Sequence, residues 1–169
     1  MDAQEGFEDR FTTGVGMITS NGKWGENVMS AEWTMQVSYN PPLIAISIGR
    51  RHATYENIVE TKEFGVNMVA DDQGSISHLA GSVSKRRYDK LSDGLFKGRL
   101  YRAKKINTPM IEGSTINAEC KMIFQKDFGD HSLIIGEVVV ASFDASKSPI
   151  IYHDGKYFRI GERVKKADQ

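Results

Sequence analysis

The feature that most constrains the fold of this chain is a series of short, closely spaced segments with the residue pattern of β-strands. Residues 115–125 alternate between apolar and polar side chains, as a strand with one buried face does. Residues 64–70 repeat this alternation, and residues 15–20 form a further apolar segment of strand length. Residues 43–49 and 131–143 are richer in β-branched residues, which predicts strands that are buried more completely. We therefore expect a mainly β protein.

A β-hairpin is predicted near the C-terminal end of the chain. The dipeptide Asp154-Gly155 lies between the strand-like segments PIIYH and KYFRIG. These two residue types readily adopt the positive φ angles of a two-residue hairpin turn, so the two segments are expected to pair as antiparallel strands.

Helical patterns are fewer and short. A helix of two to three turns is predicted after the strand at 43–49, with Thr54 as its N-cap, because a threonine hydroxyl can accept from a free backbone N–H there. A second helix is predicted from Ser75 to about Gly81. Strands and helices do not alternate regularly, which disfavours a doubly wound parallel sheet. We expect residues 1–169 to form a single domain, an antiparallel β-barrel with a few short helices.

Charge and composition exclude several classes of protein. The chain carries 22 lysines and arginines against 22 acidic residues, and this zero formal net charge argues against a nucleic-acid partner. No apolar run approaches the ~20 residues of a membrane helix, and the acidic start lacks the apolar segment of a signal peptide. We therefore expect a cytoplasmic protein that does not bind membranes.

Metal and thiol chemistry are also disfavoured. The four histidines fall in no HExxH pattern, so no metal site is expected. The single cysteine, Cys120, cannot form an intramolecular disulfide, and it lies on the apolar side of the strand predicted at 115–125. We expect it to be a core residue and not a nucleophile.

A candidate anion site lies where the strand at 43–49 meets the first predicted helix. Arg50 and Arg51 could donate hydrogen bonds to a phosphate, and Thr54 would add a hydroxyl group. The helix N-terminus offers unpaired N–H groups and the positive end of the helix dipole. No glycine-rich phosphate motif accompanies these residues, so a solvated basic turn remains the alternative.

A second candidate site is the tripeptide Gly129-Asp130-His131, at the start of the strand predicted over 131–143. A histidine beside an aspartate can be held in one tautomer, which suits it to bind or protonate a ligand at a barrel rim. The alternative is a turn closed by Asp130, with His131 facing solvent. Trp33 lies among polar residues and would either cap the barrel or pack against a planar ligand.

Six segments of the chain, taken in order, resemble the flavin reductase-like family, whose members are FMN-binding split barrels of Greek-key type. The segments are VGMITS, GENVMSAEW, VSYNPPLIAISIGRRHATYENI, EFGVNMV, GDHSLIIGEV and IIYHDGKYFRIG. Each is short, but together they follow the family's order over roughly residues 12–161. The resemblance implies that the expected barrel is an antiparallel split barrel.

The resemblance also implies a flavin site, with FMN as the expected cofactor and FAD as the other flavin considered. On the isoalloxazine side it implies Asn27, Met29, Ser30, Ala31, Trp33 and Thr34. On the phosphate side it implies Ser47, Ile48, Gly49, Arg50, Arg51 and Thr54. The family's Gly-Asp-His motif implies that the nicotinamide contacts Gly129, Asp130 and His131, with His131 as the catalytic residue that orients the ring.

The activity implied by the resemblance is that of an NAD(P)H:flavin oxidoreductase, with NADH or NADPH as the reductant. Electrons would pass from the reduced nicotinamide through the flavin to an acceptor such as a monooxygenase. A flavin-mediated ferric reductase and a flavoredoxin-like FMN electron carrier remain alternatives. The resemblance further implies a homodimer with the flavin near the subunit interface.

Overall fold

The computed structural model describes residues 5–164, and β-strands dominate it, as predicted. Paired strands within its sheets all run antiparallel. The strands of this part of the chain are β1 (Thr13–Gly14), β2 (Gly16–Ser20), β3 (Asn27–Ala31), β4 (Thr34–Tyr39), β5 (Pro42–Gly49), β6 (Glu63–Met68), β7 (Leu100–Arg102), β8 (Pro109–Ile111), β9 (Ile116–Phe128), β10 (His131–Phe143), β11 (Ile150–His153) and β12 (Lys156–Arg159). The helices are α1 (Ala53–Thr61) and α2 (Gly74–Ser82), and 3₁₀ turns occupy Phe7–Arg10, Lys90–Ser92 and Gly94–Phe96.

Seven of these strands form one curled sheet in the order β3-β2-β6-β9-β10-β5-β4. Its edge strands β3 and β4 follow each other in the chain but do not pair with each other. Strand β3 instead comes close to β5, whereas the pairing of β4 with β5 continues to Trp33, whose carbonyl accepts from the backbone N–H of Ser47 over 3.0 Å. The sheet is therefore an antiparallel barrel that stays open along a seam between β3 and β5, and the prediction of a split barrel is confirmed.

Strands β9 and β10 form the longest hairpin of the sheet, with 13 residues in each strand and two shifts of register between them. The expectation that residues 131–143 are buried more completely than an alternating strand is wrong. In β10, buried Ser132, Ile134 and Gly136 alternate with residues that are more exposed. The reason is that one face of the hairpin covers the barrel interior while the other face lies at the surface.

Two clusters of buried apolar side chains lie on either side of the strands β2 and β6. The cluster inside the barrel includes Ile18, Ile46, Ile58, Phe64 and Ile134. The second cluster lies under α2 and includes Met17, Val28, Ile76, Phe96 and Ile111. Helix α1 contributes to the first cluster and α2 to the second, so both helices are held beside β3.

Cys120 belongs to the cluster inside the barrel, as predicted, and none of its surface is exposed. Burial in apolar surroundings disfavours the thiolate and raises the pKa of its thiol to about 12, with a smaller contribution from the charge of Glu119. The side chain is therefore a packing residue, since a thiol with this pKa is not a nucleophile near neutral pH.

The two helices lie where they were predicted, but the N-cap of α1 is different. Helix α1 begins after His52, which is its N-cap residue, and Thr54 lies within the first turn. The prediction that Thr54 is the N-cap is wrong, because its buried hydroxyl accepts a hydrogen bond from the Asn27 side chain on β3 over 2.8 Å. Within residues 5–164, no helix has both the length and the apolar character needed to cross a membrane.

The predicted C-terminal hairpin is confirmed. Strands β11 and β12 are joined by Asp154 and Gly155, whose φ angles are 50° and 72°. Strand β11 also pairs with the short strand β1, and these three strands form a second sheet beside α2. The hairpin thereby brings Tyr152 and Tyr157 close to the helix and to the edge of the barrel.

The tight contact at Gly136 gives a test of this packing. A Cβ atom at this position would lie 2.5 Å from the ring of Phe64 and 2.9 Å from the Cβ of Cys120. Because both neighbours are fully buried, we expect Gly136→Ala to destabilise the protein by about 1–3 kcal/mol, measured by urea denaturation. Gly94→Ala is the matched control, since its Cβ would meet no atom within 4 Å, and an equal loss in both variants would contradict the packing argument.

Candidate active site

A cavity of about 480 Å³ lies at the seam of the barrel, and we call it the seam cavity. Its walls come from β3, the end of β5, the N-terminus of α1 and the segment that follows α2. Most of the residues predicted to bind flavin lie here together, namely Asn27, Met29, Ser30, Ala31, Trp33, Ser47, Ile48, Gly49 and Thr54. His131, predicted to bind the nicotinamide, lines the same cavity.

Five predicted site residues do not line the seam cavity, namely Thr34, Arg50, Arg51, Gly129 and Asp130. The Thr34 hydroxyl is buried and donates to the carbonyl of Ala31 over 3.0 Å. The Arg50 guanidinium donates to the carboxylate of Asp127 over 3.1 Å and to the carbonyl of Gly129 over 2.8 Å. Arg50 thus stabilises the turn between β9 and β10.

The positive charges that line the seam cavity come from a segment that sequence reasoning did not assign. Lys85, Arg87 and Lys90 all belong to the polar stretch after α2. In the sequence, this stretch shows only a basic and polar composition. It has no helical or strand periodicity from which its packing against the seam cavity could be predicted. Other lining residues that were not predicted are Glu32, His52, Ala53, Ala80, Gly81, Ser82, Val83 and Ser84.

Lys90 is the most unusual of these residues, because only 2% of its surface is exposed. Its ammonium group donates to the carbonyl of Ala80 over 3.1 Å. Burial and, to a smaller extent, the charge of Lys85 lower the pKa of Lys90 to about 8. A buried ammonium group without a carboxylate partner is costly, and an anionic ligand in the cavity would relieve that cost.

The N-terminus of α1 opens into the same part of the site. Its N-cap residue His52 makes no side-chain capping hydrogen bond, and Ala53 and Thr54 of the first turn line the seam cavity. Unpaired N–H groups and the positive end of the helix dipole therefore reinforce the charge of Lys90. The combination favours a phosphate or another anion.

Asn27 offers a hydrogen-bond acceptor to a ligand in the seam cavity. Its Nδ2 atom donates to the Thr54 hydroxyl, which fixes the orientation of the amide group. Its Oδ1 atom is buried and has no hydrogen-bond partner among the described residues. Because an unpaired buried carbonyl oxygen is unfavourable, a ligand hydroxyl or N–H would fit at this position.

His131 and Trp33 form an aromatic contact at the cavity. Their ring centroids are 4.7 Å apart, and Trp33 remains 46% exposed. The Nδ1 atom of His131 lies 2.7 Å from the Asp130 carboxylate, and this hydrogen bond is the first cause that lowers the pKa of Asp130. Because the ionised carboxylate accepts, Nδ1 carries the proton and Nε2 is left as an acceptor when the ring is neutral.

A second histidine, His52, lies close to His131. A Cβ atom on Gly49 would lie 3.1 Å from the His52 ring and 3.7 Å from the His131 ring, so the absence of a side chain at Gly49 makes room for both. The pKa of His52 is lowered, first by burial and then by the charges of His131, Lys90 and neighbouring arginines. Burial and these charges therefore favour the neutral form of the His52 ring.

The segment over residues 83–90 is attached to α1 by a cluster of charges around Glu56. The Glu56 carboxylate pairs with Arg86, lies 2.6 Å from the Lys23 ammonium and accepts from the Trp24 indole over 2.8 Å. The hydrogen bond with Lys23 is the first cause that lowers the pKa of Glu56 to about 2. The Arg86 guanidinium also lies 4.5 Å from the centre of the Trp24 ring, so several contacts hold the segment in place.

Over residues 5–164, no group of three or more histidine, cysteine or carboxylate side chains has a geometry that could hold a metal ion. The lining of the seam cavity combines aromatic rings, hydrogen-bonding side chains and positive charges, which suits an organic ligand with an anionic group.

Comparison with known proteins agrees with this geometry. The family model described as "Flavin reductase like domain" matches residues 9–161. The chain belongs to the flavin reductase-like family.

Individual relatives are distant but align along most of the chain. An uncharacterized protein of Archaeoglobus fulgidus is 31% identical over 122 residues, which are 72% of this chain and 68% of that protein. An NADH-dependent flavin reductase of Rhodococcus sp is 27% identical over 152 residues, 88% of this chain and 80% of that protein. The solved structure of BorF, the flavin reductase component of a bacterial two-component tryptophan halogenase, superposes with a TM-score of 0.82 and 26% identity, covering 94% of this chain and 96% of BorF.

The attachment of residues 83–90 can be tested by limited proteolysis, since Lys85, Arg86 and Arg87 are trypsin sites. Glu56→Gln removes the negative charge that holds Arg86 and Lys23, so trypsin should cleave this segment several-fold faster under native conditions. Glu60→Gln is the control, because Glu60 accepts only from the backbone of Lys23 and does not contact the segment. Equal cleavage rates in both variants would show that Glu56 does not hold the segment.

Proposed function

We propose that this chain is a flavin reductase that oxidises NADH or NADPH and reduces FMN, with FAD as a second flavin that it accepts. The observation that carries the proposal is the seam cavity, which combines aromatic rings, a free buried acceptor and a buried ammonium group in one space. FMN has the matching parts, a planar ring system, a polyhydroxylated chain and a phosphate. The named relatives support the same activity.

In this proposal the phosphate lies at the N-terminus of α1, as the sequence suggested, but its cationic partners differ. Lys90 supplies the charge, together with the N–H groups of Ala53 and Thr54. Lys85 adds a second ammonium group, which also pairs with Asp89 over 2.6 Å. Arg50 acts indirectly, because it holds the turn that carries Asp130. The charge of Arg51 also acts on Asp130, as one of the smaller causes that lower the pKa of its carboxyl group. The residues present thus fit a phosphate ester.

The ring system of the flavin would lie against β3 and the end of β5, beside Met29, Ala31, Trp33, Ser47 and Ile48. When bound, the flavin supplies the ring that accepts a hydride from the reduced nicotinamide and later gives up its electrons. Asn27 Oδ1 accepts from the ligand, and backbone N–H groups of residues 27–34 polarise the ring, as the donors of an oxyanion hole do. Ser30 acts as an acceptor when its hydroxyl donates to the Ser77 carbonyl over 2.6 Å.

His131 is proposed to orient the nicotinamide, together with Gly129 and Asp130. Asp130 fixes the tautomer of His131, and Trp33 packs against its ring, so the imidazole is held in one position before the nicotinamide binds. Because the imidazole is already ordered, the nicotinamide can be stacked on the flavin at a lower entropic cost.

The acceptor of the electrons is proposed to be a flavin-dependent oxygenase or halogenase that takes up the reduced flavin. The support is the similarity to BorF, which is the reductase component of such a pair. The use of NADH or NADPH as reductant makes the cytoplasm the proposed site of the reaction.

A homodimer is also part of the proposal. The outer face of β4, β9 and β10 exposes large apolar side chains, including Tyr39 at 88% and Phe143 at 78%. An apolar cavity of about 450 Å³ also lies beside β4 and β5, lined by Met35, Leu43 and Ile44 among others. A second copy of the chain would cover this surface, and the neutral net charge of the chain offers little repulsion to such pairing.

Lys90→Met tests the phosphate site. We expect the variant to bind FMN about 10- to 100-fold more weakly, the equivalent of a charge-assisted hydrogen bond, while its affinity for riboflavin changes little. Arg50→Ala/Arg51→Ala is the matched double variant, and it should lose much less affinity for FMN. Flavin fluorescence titration measures both, and a larger loss in the arginine variant would place the phosphate elsewhere.

The lowered pKa of Lys90 also predicts a pH dependence. In the free protein Lys90 loses its proton near pH 8, and a bound phosphate raises its pKa, so the charged form is favoured in the complex. The affinity for FMN relative to riboflavin should therefore be nearly constant around pH 7 and fall as the pH rises above about 8. In Lys90→Met this fall should be absent, and its persistence there would assign the effect to another group.

His131→Ala tests the nicotinamide site. At saturating FMN, we expect the variant to be reduced by NADH about one order of magnitude more slowly, because the nicotinamide is no longer oriented. FMN affinity should be nearly unchanged. Anaerobic stopped-flow absorbance measures the rate, and an unchanged rate would remove His131 from the mechanism. A tightly flavin-loaded wild-type protein that neither NADH nor NADPH reduces would instead favour an electron carrier.

A further inference from the structure

A second cavity adjoins the seam cavity and has no assigned ligand. Its volume is about 660 Å³, and we call it the hairpin cavity because the C-terminal hairpin β11–β12 forms one wall. It shares four lining residues with the seam cavity, namely Ser30, Glu32, Gly81 and Ser82. A ligand that fills the seam cavity can therefore extend into the hairpin cavity past the boundary between β3 and α2.

One wall of the hairpin cavity is aromatic and fixed in position. Tyr152 and Tyr157 face each other across the hairpin, with ring centroids 5.5 Å apart. The Tyr157 hydroxyl is hydrogen-bonded to Ser77 on α2 over 3.0 Å, and Ser77 is hydrogen-bonded to Ser30 over 2.9 Å. This row of hydroxyl groups connects the two cavities and restrains the Tyr157 ring. A fixed aromatic wall of this kind suits a planar heterocycle.

The boundary between the cavities carries a carboxylate. Among residues 5–164, the Glu32 side chain has no hydrogen-bond or ion-pair partner. Burial, and secondarily the negative charge of Asp9, raise the pKa of Glu32. The charge of Glu32 in turn contributes to raising the pKa of Tyr152, so the two side chains are close. A partly desolvated carboxylate beside a tyrosine gains most from a ligand that donates two hydrogen bonds, as a ribose diol does.

We propose that the hairpin cavity binds the adenosine half of a dinucleotide, with its base against Tyr152 and Tyr157 and its ribose diol on Glu32. This inference rests on the proposed function, since the other half of the dinucleotide occupies the seam cavity. Lys156, at the start of β12, supplies a positive charge for the phosphates. A 2′-phosphate in place of the free hydroxyl would meet the Glu32 carboxylate, so the site favours NADH over NADPH. NADH and FAD share the adenosine diphosphate group, and both are candidates for this site.

Direct binding of ADP-ribose to the FMN-loaded protein tests the site without turnover. By calorimetry, ADP-ribose should bind at least about tenfold more tightly than 2′-phospho-ADP-ribose, and Glu32→Gln should weaken ADP-ribose by about tenfold and remove most of this discrimination. Glu112→Gln is the charge-matched control, because Glu112 lines neither cavity. Absence of ADP-ribose binding, equal affinities for the two probes, or an equal effect of both variants would overturn the proposal.

The tyrosine wall provides a second, independent variant. Tyr152→Leu should weaken ADP-ribose several-fold, whereas Tyr152→Phe should restore it, since the ring and not the hydroxyl contacts the base. Retained affinity in Tyr152→Leu would contradict the stacking arrangement. Circular dichroism of each variant shows whether the hairpin has kept its structure, and the Glu32 variants test the site without changing the hairpin.

Two comparisons show whether the bound adenosine belongs to NADH or to FAD. If it belongs to NADH, Glu32→Gln raises the KM for NADH but not for reduced nicotinamide mononucleotide, which lacks adenosine. If it belongs to FAD, Glu32→Gln lowers the affinity for FAD but not for FMN. Either result supports the site, and no change in both comparisons overturns it. A wild-type protein that binds ADP-ribose but does not reduce flavin would refute the proposed function alone.

Discussion

The open seam between β3 and β5 is the constraint on which the rest of the structure depends. A closed barrel would pair every strand edge, but here the edge strands β3 and β4 do not pair with each other, and β3 only comes close to β5. The polar groups of β3 are consequently turned toward a cavity instead of a neighbouring strand. Helix α1 and the segment after α2 cover the seam from outside, and they bring the charges that the strands lack. The seam cavity thus lies where the barrel is open.

The charge of the site depends on which of its ionisable side chains are buried and which have ion-pair partners. Lys90 is buried against the end of α2, burial and nearby positive charges favour the neutral form of His52 at the start of α1, and Glu56 holds Arg86 on the outer side of the same segment. The ammonium group of Lys85 pairs with Asp89 over 2.6 Å, whereas that of Lys90 has no carboxylate partner among the described residues. The zero net charge of the chain therefore conceals a local excess of positive charge at one end of the cavity.

Much of the fold and part of the site could be predicted from the sequence, for reasons that differ between segments. The positions of the strands, the Asp154-Gly155 turn and the buried Cys120 are local signals, and each was confirmed. The predicted alternation of burial over residues 115–125 is wrong in part, since Glu119 is buried while Ile116 is exposed. The cationic residues that we propose for the phosphate could not be identified from local sequence, because the Arg50 side chain contacts the turn between β9 and β10 and not the seam cavity. Lys90 lies 36 residues after Thr54 in a segment without periodicity, and only the tertiary fold brings it to α1. The prediction that Thr54 is the N-cap of α1 failed because its hydroxyl accepts a hydrogen bond from Asn27, which is distant in the sequence.

The burial of Cys120 has a consequence for the durability of such an enzyme. Reduced flavin that escapes into aerated solution reacts with oxygen and yields hydrogen peroxide, which oxidises thiolates but reacts poorly with protonated thiols. With a pKa of about 12 and no exposed surface, the one cysteine of this chain stays protonated and out of reach. A protein that handles reduced flavin is thereby protected from the oxidant that its own chemistry generates.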